Sequence, residues 1–150
     1  MGLAVSPMSA FANRHAISRA VFFLALADRC TAPDRDAFEA FLEAAIVFGR
    51  TAIHRLLSQF EAHPEWKGWF ASLRGNPSVE FFRQHRDFIL KEGPPKVGQI
   101  IGFNPDITAA QMYYFDTPDI PATETVRRHL AALAELVRDA EIRFSNAASR

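Results

Sequence analysis

Two cations and an acid stand close together in the stretch FFRQHRDFILKEG, residues 81–93. Arg86 and Asp87 are neighbours, and Lys91 follows about one and a half helical turns after Arg86. An arginine can grip a phosphate with its planar fork of donors, and a lysine can hold one as a point charge. These three residues are therefore the first candidates for a binding site.

Arg86 falls within the apolar face of this stretch when the stretch is read as a helix. At about 100° per residue, Arg86 lies between Val79 and Phe82 on one arc. A guanidinium stays charged, so in a buried position it needs a carboxylate, water or a ligand. Two roles for Arg86 remain open. It could form an ion pair with Glu39, Glu43 or another acid across a helix bundle, or it could meet phosphate in a cleft or at a dimer seam.

Arg50 and His54 form a second pair of candidate binding residues. They lie about one turn apart on the polar side of the preceding long helix, where they could line the same cleft as Arg86. The alternative is a solvated face on which Arg50 pairs with a glutamate. The histidines and the single cysteine lack metal-ligand spacing, and the chain has no phosphate loop or nucleophile motif. No metal and no cofactor are therefore expected.

The composition is that of one globular domain covering residues 1–150. Apolar residues make up 49% and charged residues 23%, which argues against a disordered chain. The net charge is zero, so the whole chain lacks the basic footprint of many nucleic-acid-binding proteins. The single cysteine, Cys30, fits a reducing compartment, and the cytoplasm is the expected location. The apolar run AVFFLALA at 20–27 is too short to cross a bilayer, so no membrane partner is expected.

Helical periodicity runs through most of the chain and predicts an all-α fold. Four long helices and one short helix, joined by short turns, are expected to pack as an up-and-down bundle. The long helices are predicted at about 9–30, 33–61, 77–92 and 123–144, and the short helix at about 65–73. Residues 94–121 are less regular and are expected to form either a small hairpin or an ordered loop.

Four residues carry specific structural predictions. Gly49 interrupts the apolar stripe of the second helix, and a glycine there predicts the close approach of another helix. Asn76 or Ser78 is the expected N-cap of the fourth helix, and Thr123 is the expected N-cap of the last one.

Aromatic residues divide into expected core and expected contact residues. Trp66 and Trp69 are predicted to anchor the short helix in the core, although either ring could stack on a base. Tyr113 and Tyr114 are the expected exposed aromatics and the candidates for a partner or dimer contact. The segment 20–27 is apolar on nearly every side, which predicts deep burial.

The stretch FFRQHRDFILKEGPP, placed after a long helix of the type AFEAFLEAAIVFGRTAIHRL, resembles the HEPN superfamily of helical-bundle proteins. The resemblance covers about residues 9–93, and the last helix is compatible with it. In that family the fourth major helix carries an arginine, then a polar residue that is most often asparagine, and a histidine a few residues later. Active members cleave RNA without a metal, at a dimer interface that brings two such motifs together.

This resemblance assigns Arg86 to the arginine of the motif, Asp87 to the polar position and Lys91 to the position of the histidine. The arginine would steady phosphate charge, and the histidine would assist attack by the 2′-hydroxyl or protonate the leaving group. A lysine with an ordinary pKa of about 10.4 is a poor general base at neutral pH. Arg86 and Lys91 are thus candidate catalytic residues on the condition that the pKa of Lys91 is lowered.

Three functions are compatible with this sequence. The preferred one is a HEPN-like, non-catalytic binding or regulatory module that forms a homodimer and contacts RNA, nucleotide phosphate or a partner protein. The second is a metal-independent ribonuclease of the toxin or defence type that uses Arg86 and Lys91. The third is an unrelated helical-bundle interaction protein in which Arg86 belongs to a structural ion pair.

Overall fold

The structure is a computed structural model, which describes residues 7–92, 98–99 and 108–148, and side chains within 14–31, 33–86 and 108–144. Its helices are α1 (Pro7–Asp28), α2 (Arg35–Phe60), α3 (Trp66–Ser72), α4 (Pro77–Glu92), α5 (Ala109–Met112) and α6 (Ala122–Ala148), with a 3₁₀ turn at Ala32–Asp34. Two short strands are β1 (Gly98–Gln99) and β2 (Tyr113–Tyr114). The predicted all-α class is confirmed, and the helix boundaries agree with the prediction to within a few residues.

The four long helices form an up-and-down bundle. Ion pairs at both ends join α1 to α6, from Arg14 to Glu141 at 3.8 Å and from Arg127 to Asp28, so the two helices run antiparallel. Both α2 and α6 pack against α1 and against α4. Helices α1 and α4 therefore occupy opposite corners of the bundle, and their outer faces point in opposite directions.

The α2–α4 contact is unusually close at Gly49. A Cβ atom added to Gly49 would lie 2.5 Å from Cε1 and 2.6 Å from Cδ1 of the Phe82 ring, which is inside van der Waals contact. Both residues are buried, and Phe82 is fully so. The predicted close approach of a helix at Gly49 is thus confirmed, and Phe82 of α4 is the group that requires it.

The start of α4 is fixed by a tight turn and a side-chain cap. Gly75 has a φ of 87°, a left-handed conformation that glycine adopts most readily. The Asn76 side-chain oxygen then accepts hydrogen bonds from the backbone N–H groups of Ser78 at 3.0 Å and Val79 at 3.1 Å. Asn76 is therefore the N-cap, with Pro77 at the first helical position.

Part of the segment between α4 and α6 is described, and it packs onto the bundle. Strands β1 and β2 pair antiparallel over two residues each, so of the two predicted alternatives the described residues show a small strand pairing. The ring of Tyr113 stacks on Phe38 with centroids 4.8 Å apart, and its hydroxyl donates to Glu39. Tyr113 is only 4% exposed and Tyr114 is half-buried, so the prediction of an exposed tyrosine pair is wrong for Tyr113.

Two further predictions are corrected. The last helix begins at Ala122, with the Pro121 carbonyl accepting from its first turn, so Thr123 lies inside the helix and is not its cap. Val21 and Phe22 are each 53% exposed, so the apolar run of α1 is not deeply buried on every side. An apolar sequence on all sides of a helix does not ensure partners for all sides, because α1 packs mainly on α2 and α6.

Candidate functional site

Arg86 lies in the second half of α4, one turn beyond the contact between Gly49 and Phe82. Val79 and Phe82, which flank it on the helical arc, are both buried, while the Arg86 side chain is half-buried. The sequence predicted a place within the apolar face, and the structure shows Arg86 less buried than the two residues that flank it on that face. Asp87 and Lys91 follow on the same helix, and their side chains lie outside the described residues.

The two glutamates predicted as possible ion-pair partners of Arg86 lie one turn apart on α2. Glu39 accepts a hydrogen bond from the Tyr113 hydroxyl at 3.2 Å. Burial, and then the negative charge of Glu39, raise the pKa of the Glu43 carboxyl. An ion pair between Arg86 and either glutamate stays a prediction.

Arg50 and His54 are separated by their surroundings, although they lie one turn apart on α2. Arg50 is half-buried and lines a cleft of about 250 Å³ between α2, α3 and the first half of α4. His54 is exposed and is not part of the cleft lining. The cleft groups Arg50 with Arg74 and Arg83, and Arg86 is not among its lining residues.

Glu80 is the acid within this group of arginines. Arg83 donates to one Glu80 carboxylate oxygen from Nη2 at 2.7 Å and from Nε at 3.2 Å. The pKa of the Glu80 carboxyl is lowered, first by the hydrogen bond from Arg83 and further by the positive charges of Arg83 and Arg50. Two arginines from different helices, Arg50 of α2 and Arg83 of α4, therefore both stabilise the charged form of Glu80.

A contact that the sequence analysis did not predict joins Ser78 to His129. The Ser78 hydroxyl and His129 Nδ1 are 2.8 Å apart, and the His129 ring stacks on Phe81 with centroids 4.3 Å apart. Burial lowers the pKa of His129, although the charge of Asp116 opposes that shift. Ser78 is only 7% exposed, so the pair is shielded from a substrate and serves to tie α4 to α6.

One sequence signal could have indicated the position of His129. It lies three residues after Val126 and four before Leu133, both of which are buried on the core face of α6. A histidine in that phase is expected to face the core and to need a polar partner. The partner, Ser78, could not be identified because it is 51 residues away in the chain.

In the part of the chain that the structure describes, no group of three or more His, Cys, Asp or Glu residues is placed to hold a metal ion. Among the described helices, none combines the length and apolar character needed to cross a bilayer.

No protein-family model, curated protein or solved structure matches the chain.

Proposed function

We propose that the chain is a HEPN-like, non-catalytic binding module that forms a homodimer and contacts RNA or nucleotide phosphate through Arg86. One observation carries the proposal. The tight packing of Phe82 against Gly49 fixes α4 on α2, and Arg86 follows one turn later with part of its side chain exposed. A charged group held at the edge of a core can present its donors to an anion with little loss of side-chain freedom.

The non-catalytic assignment rests on Lys91. In the motif that α4 resembles, a histidine takes this position and exchanges a proton near neutral pH, which its ordinary pKa of about 6.5 allows. Lysine at an ordinary pKa of about 10.4 stays protonated there and can hold phosphate without acting as a base. The pairing of Arg86 with Lys91 therefore favours binding over cleavage.

The substitution Lys91→His tests this assignment. We expect the native protein to leave labelled single-stranded RNA intact in the absence of metal, and Lys91→His to cleave it, because the variant restores the proton-transfer group. The measurement is the rate of product formation on a denaturing gel. The double variant Arg86→Ala, Lys91→His should lose this activity, which guards against a contaminating nuclease.

Two results would contradict the proposal. Cleavage by the native protein that is abolished in both Arg86→Ala and Lys91→Ala would establish a ribonuclease that works with lysine. Inactivity of Lys91→His, together with RNA binding that does not depend on Arg86, would favour a helical bundle in which Arg86 has a structural role.

A further inference from the structure

The cleft beside α4 is lined by apolar side chains, which we call its floor, and by arginines, which we call its rim. Its volume is about 250 Å³, and Phe70, Leu73 and Val79 form the floor. Arg50, Arg74 and Arg83 form the rim. Ligand sites in proteins share this pattern, in which apolar walls hold the body of a ligand and a few polar groups fix its orientation.

The charge of the cleft is strongly positive. Arg50, Arg74 and Arg83 line it with one acid, Glu80, so three positive charges face one negative charge and the balance is +2. The chain as a whole has a net charge of zero. The charge of the cleft is therefore a local feature, and the hydrogen bond from Arg83, together with the charges of Arg83 and Arg50, lowers the pKa of Glu80 within it.

The three arginines come from separate elements that are held together by packing. Arg50 belongs to α2, Arg83 to α4, and Arg74 to the turn between α3 and α4. That turn is fixed by Gly75 in its left-handed conformation and by the Asn76 cap. Because the fold brings these groups together before a ligand arrives, binding loses less conformational entropy.

We propose that this cleft binds a small phosphomonoester whose organic part is aromatic or apolar. A phosphomonoester carries about −1.5 to −2 charges at neutral pH, which balance the charge of +2 on the lining side chains, and its three acceptor oxygens can take hydrogen bonds from arginine. A carboxylate would neutralise only half of that charge. The cleft is smaller than the roughly 300–1,000 Å³ of drug-sized sites, so the ligand is small. This site is separate from Arg86 and goes beyond the proposed function.

Calorimetric titration of the full chain with phenyl phosphate, inorganic phosphate and phenol tests the proposal. Phenyl phosphate should bind most tightly, because it uses both the arginine rim and the apolar floor. Inorganic phosphate should bind more weakly, and phenol should give no detectable heat. Equal affinity for phenyl phosphate and inorganic phosphate would overturn the role of the floor, and absence of binding by both would overturn the site.

Variants that remove a positive or a negative charge from the lining test whether the ligand binds in this cleft. Arg74→Ala and Arg83→Ala should each weaken the affinity for phenyl phosphate by about tenfold, because each variant loses one charge-assisted contact. Glu80→Gln should tighten binding, because it removes the competing negative charge. Arg74 is exposed, so its variant should fold normally, which the circular dichroism spectrum checks.

Matched controls are available on α6. Glu124 accepts hydrogen bonds from Arg127 and Arg128, and its pKa is lowered like that of Glu80, but it does not line the cleft. Glu124→Gln and Arg128→Ala should leave the affinity for phenyl phosphate unchanged. If these α6 variants alter it as much as Arg83→Ala does, the cleft assignment is wrong.

Discussion

Arg83 and Arg86 both lie on α4, but their environments differ, and this difference determines what each arginine can do. Arg83 is held by Glu80 one turn earlier, with a 2.7 Å contact between Nη2 and the carboxylate. Arg86 lies at the edge of the core between Val79 and Phe82. Periodicity alone predicted the phase of Arg86, since that depends only on helical geometry.

The partners of these side chains could not be predicted in the same way. Tyr113 donates a hydrogen bond to Glu39, one of the possible partners of Arg86, although the two residues are 74 positions apart in the chain. The cleft formed by Arg50, Arg74 and Arg83 joins residues from three separate elements. Sequence spacing gives no information on such long-range neighbours, because they depend on how the helices pack.

His129 makes the stability of the protein depend on pH. Its pKa is lowered by burial, so the unfolded state binds more protons between the folded pKa and about 6.5. We therefore expect the contribution of neutral His129 to the free energy of unfolding to be fully present above about pH 6.5 and to be lost as the pH falls below that value. Thermal unfolding between pH 5 and pH 7.5, measured for the native protein and for His129→Asn, checks this prediction.

Comparing how stability changes with pH in the native protein and in His129→Asn separates the effect of His129 from that of other titrating groups. His129→Asn can keep a polar contact with Ser78 but cannot take up a proton, so its stability should change less with pH. Equal slopes for the native protein and His129→Asn would show that His129 makes no contribution.

At the scale of elements, the junction of α2 and α4 determines where the candidate residues stand. Gly49 was recognised as a site of close approach because a glycine on an apolar helical stripe has a cost that packing must offset. The residue that approaches it, Phe82, required the structure. The Asn76 cap was predicted because capping is a local interaction, whereas Thr123 failed as a cap because Pro121 already satisfies the first turn of α6.

Gly49→Ala tests the importance of this junction. Helix propensity alone would make alanine more stable by about 1 kcal/mol. The added Cβ would meet the Phe82 ring at 2.5 Å, so we expect a loss of about 1–3 kcal/mol from overpacking. The free energy of unfolding in urea measures the change.

A double-mutant cycle with Phe82→Leu supplies the control. The smaller side chain should relieve part of the clash, so Gly49→Ala should cost less in the Phe82→Leu background than in the native one. A gain in stability from Gly49→Ala in the native background would contradict the close packing of α2 and α4.

At the scale of the whole molecule, the bundle separates two surfaces. The outer face of α1 exposes Val21 and Phe22, while α4 carries Arg86 at the opposite corner. The all-α bundle was predictable because five of the six α-helices in the described residues have a clear helical pattern, and short turns join α1, α2, α3 and α4. The exposed part of α1 was not, since hydropathy cannot tell which side of an apolar helix lacks a neighbour.

The proposed homodimer predicts which of these surfaces meets its partner. Spin labels at Gln84 on α4 should lie closer to each other across the dimer than labels at Ser18 on α1, because the motif faces come together. Both positions are exposed. Cys30 can remain in place, since its thiol is buried and its pKa is raised, which makes it unreactive.

Pulsed electron paramagnetic resonance gives these distances. A shorter separation for Ser18 than for Gln84 would place the dimer on the apolar face of α1 and keep the two Arg86 side chains apart. A protein that is monomeric by light scattering would contradict the homodimer itself.

The affinity for single-stranded RNA, measured by fluorescence anisotropy, tests the central claim most directly. We predict that Arg86→Ala weakens binding by about tenfold and reduces its dependence on salt, because a phosphate contact is lost. Arg138→Ala is the matched control, since Arg138 is an exposed arginine on α6. Equal affinities for the native protein, Arg86→Ala and Arg138→Ala would contradict the assignment of Arg86 as the phosphate-binding residue.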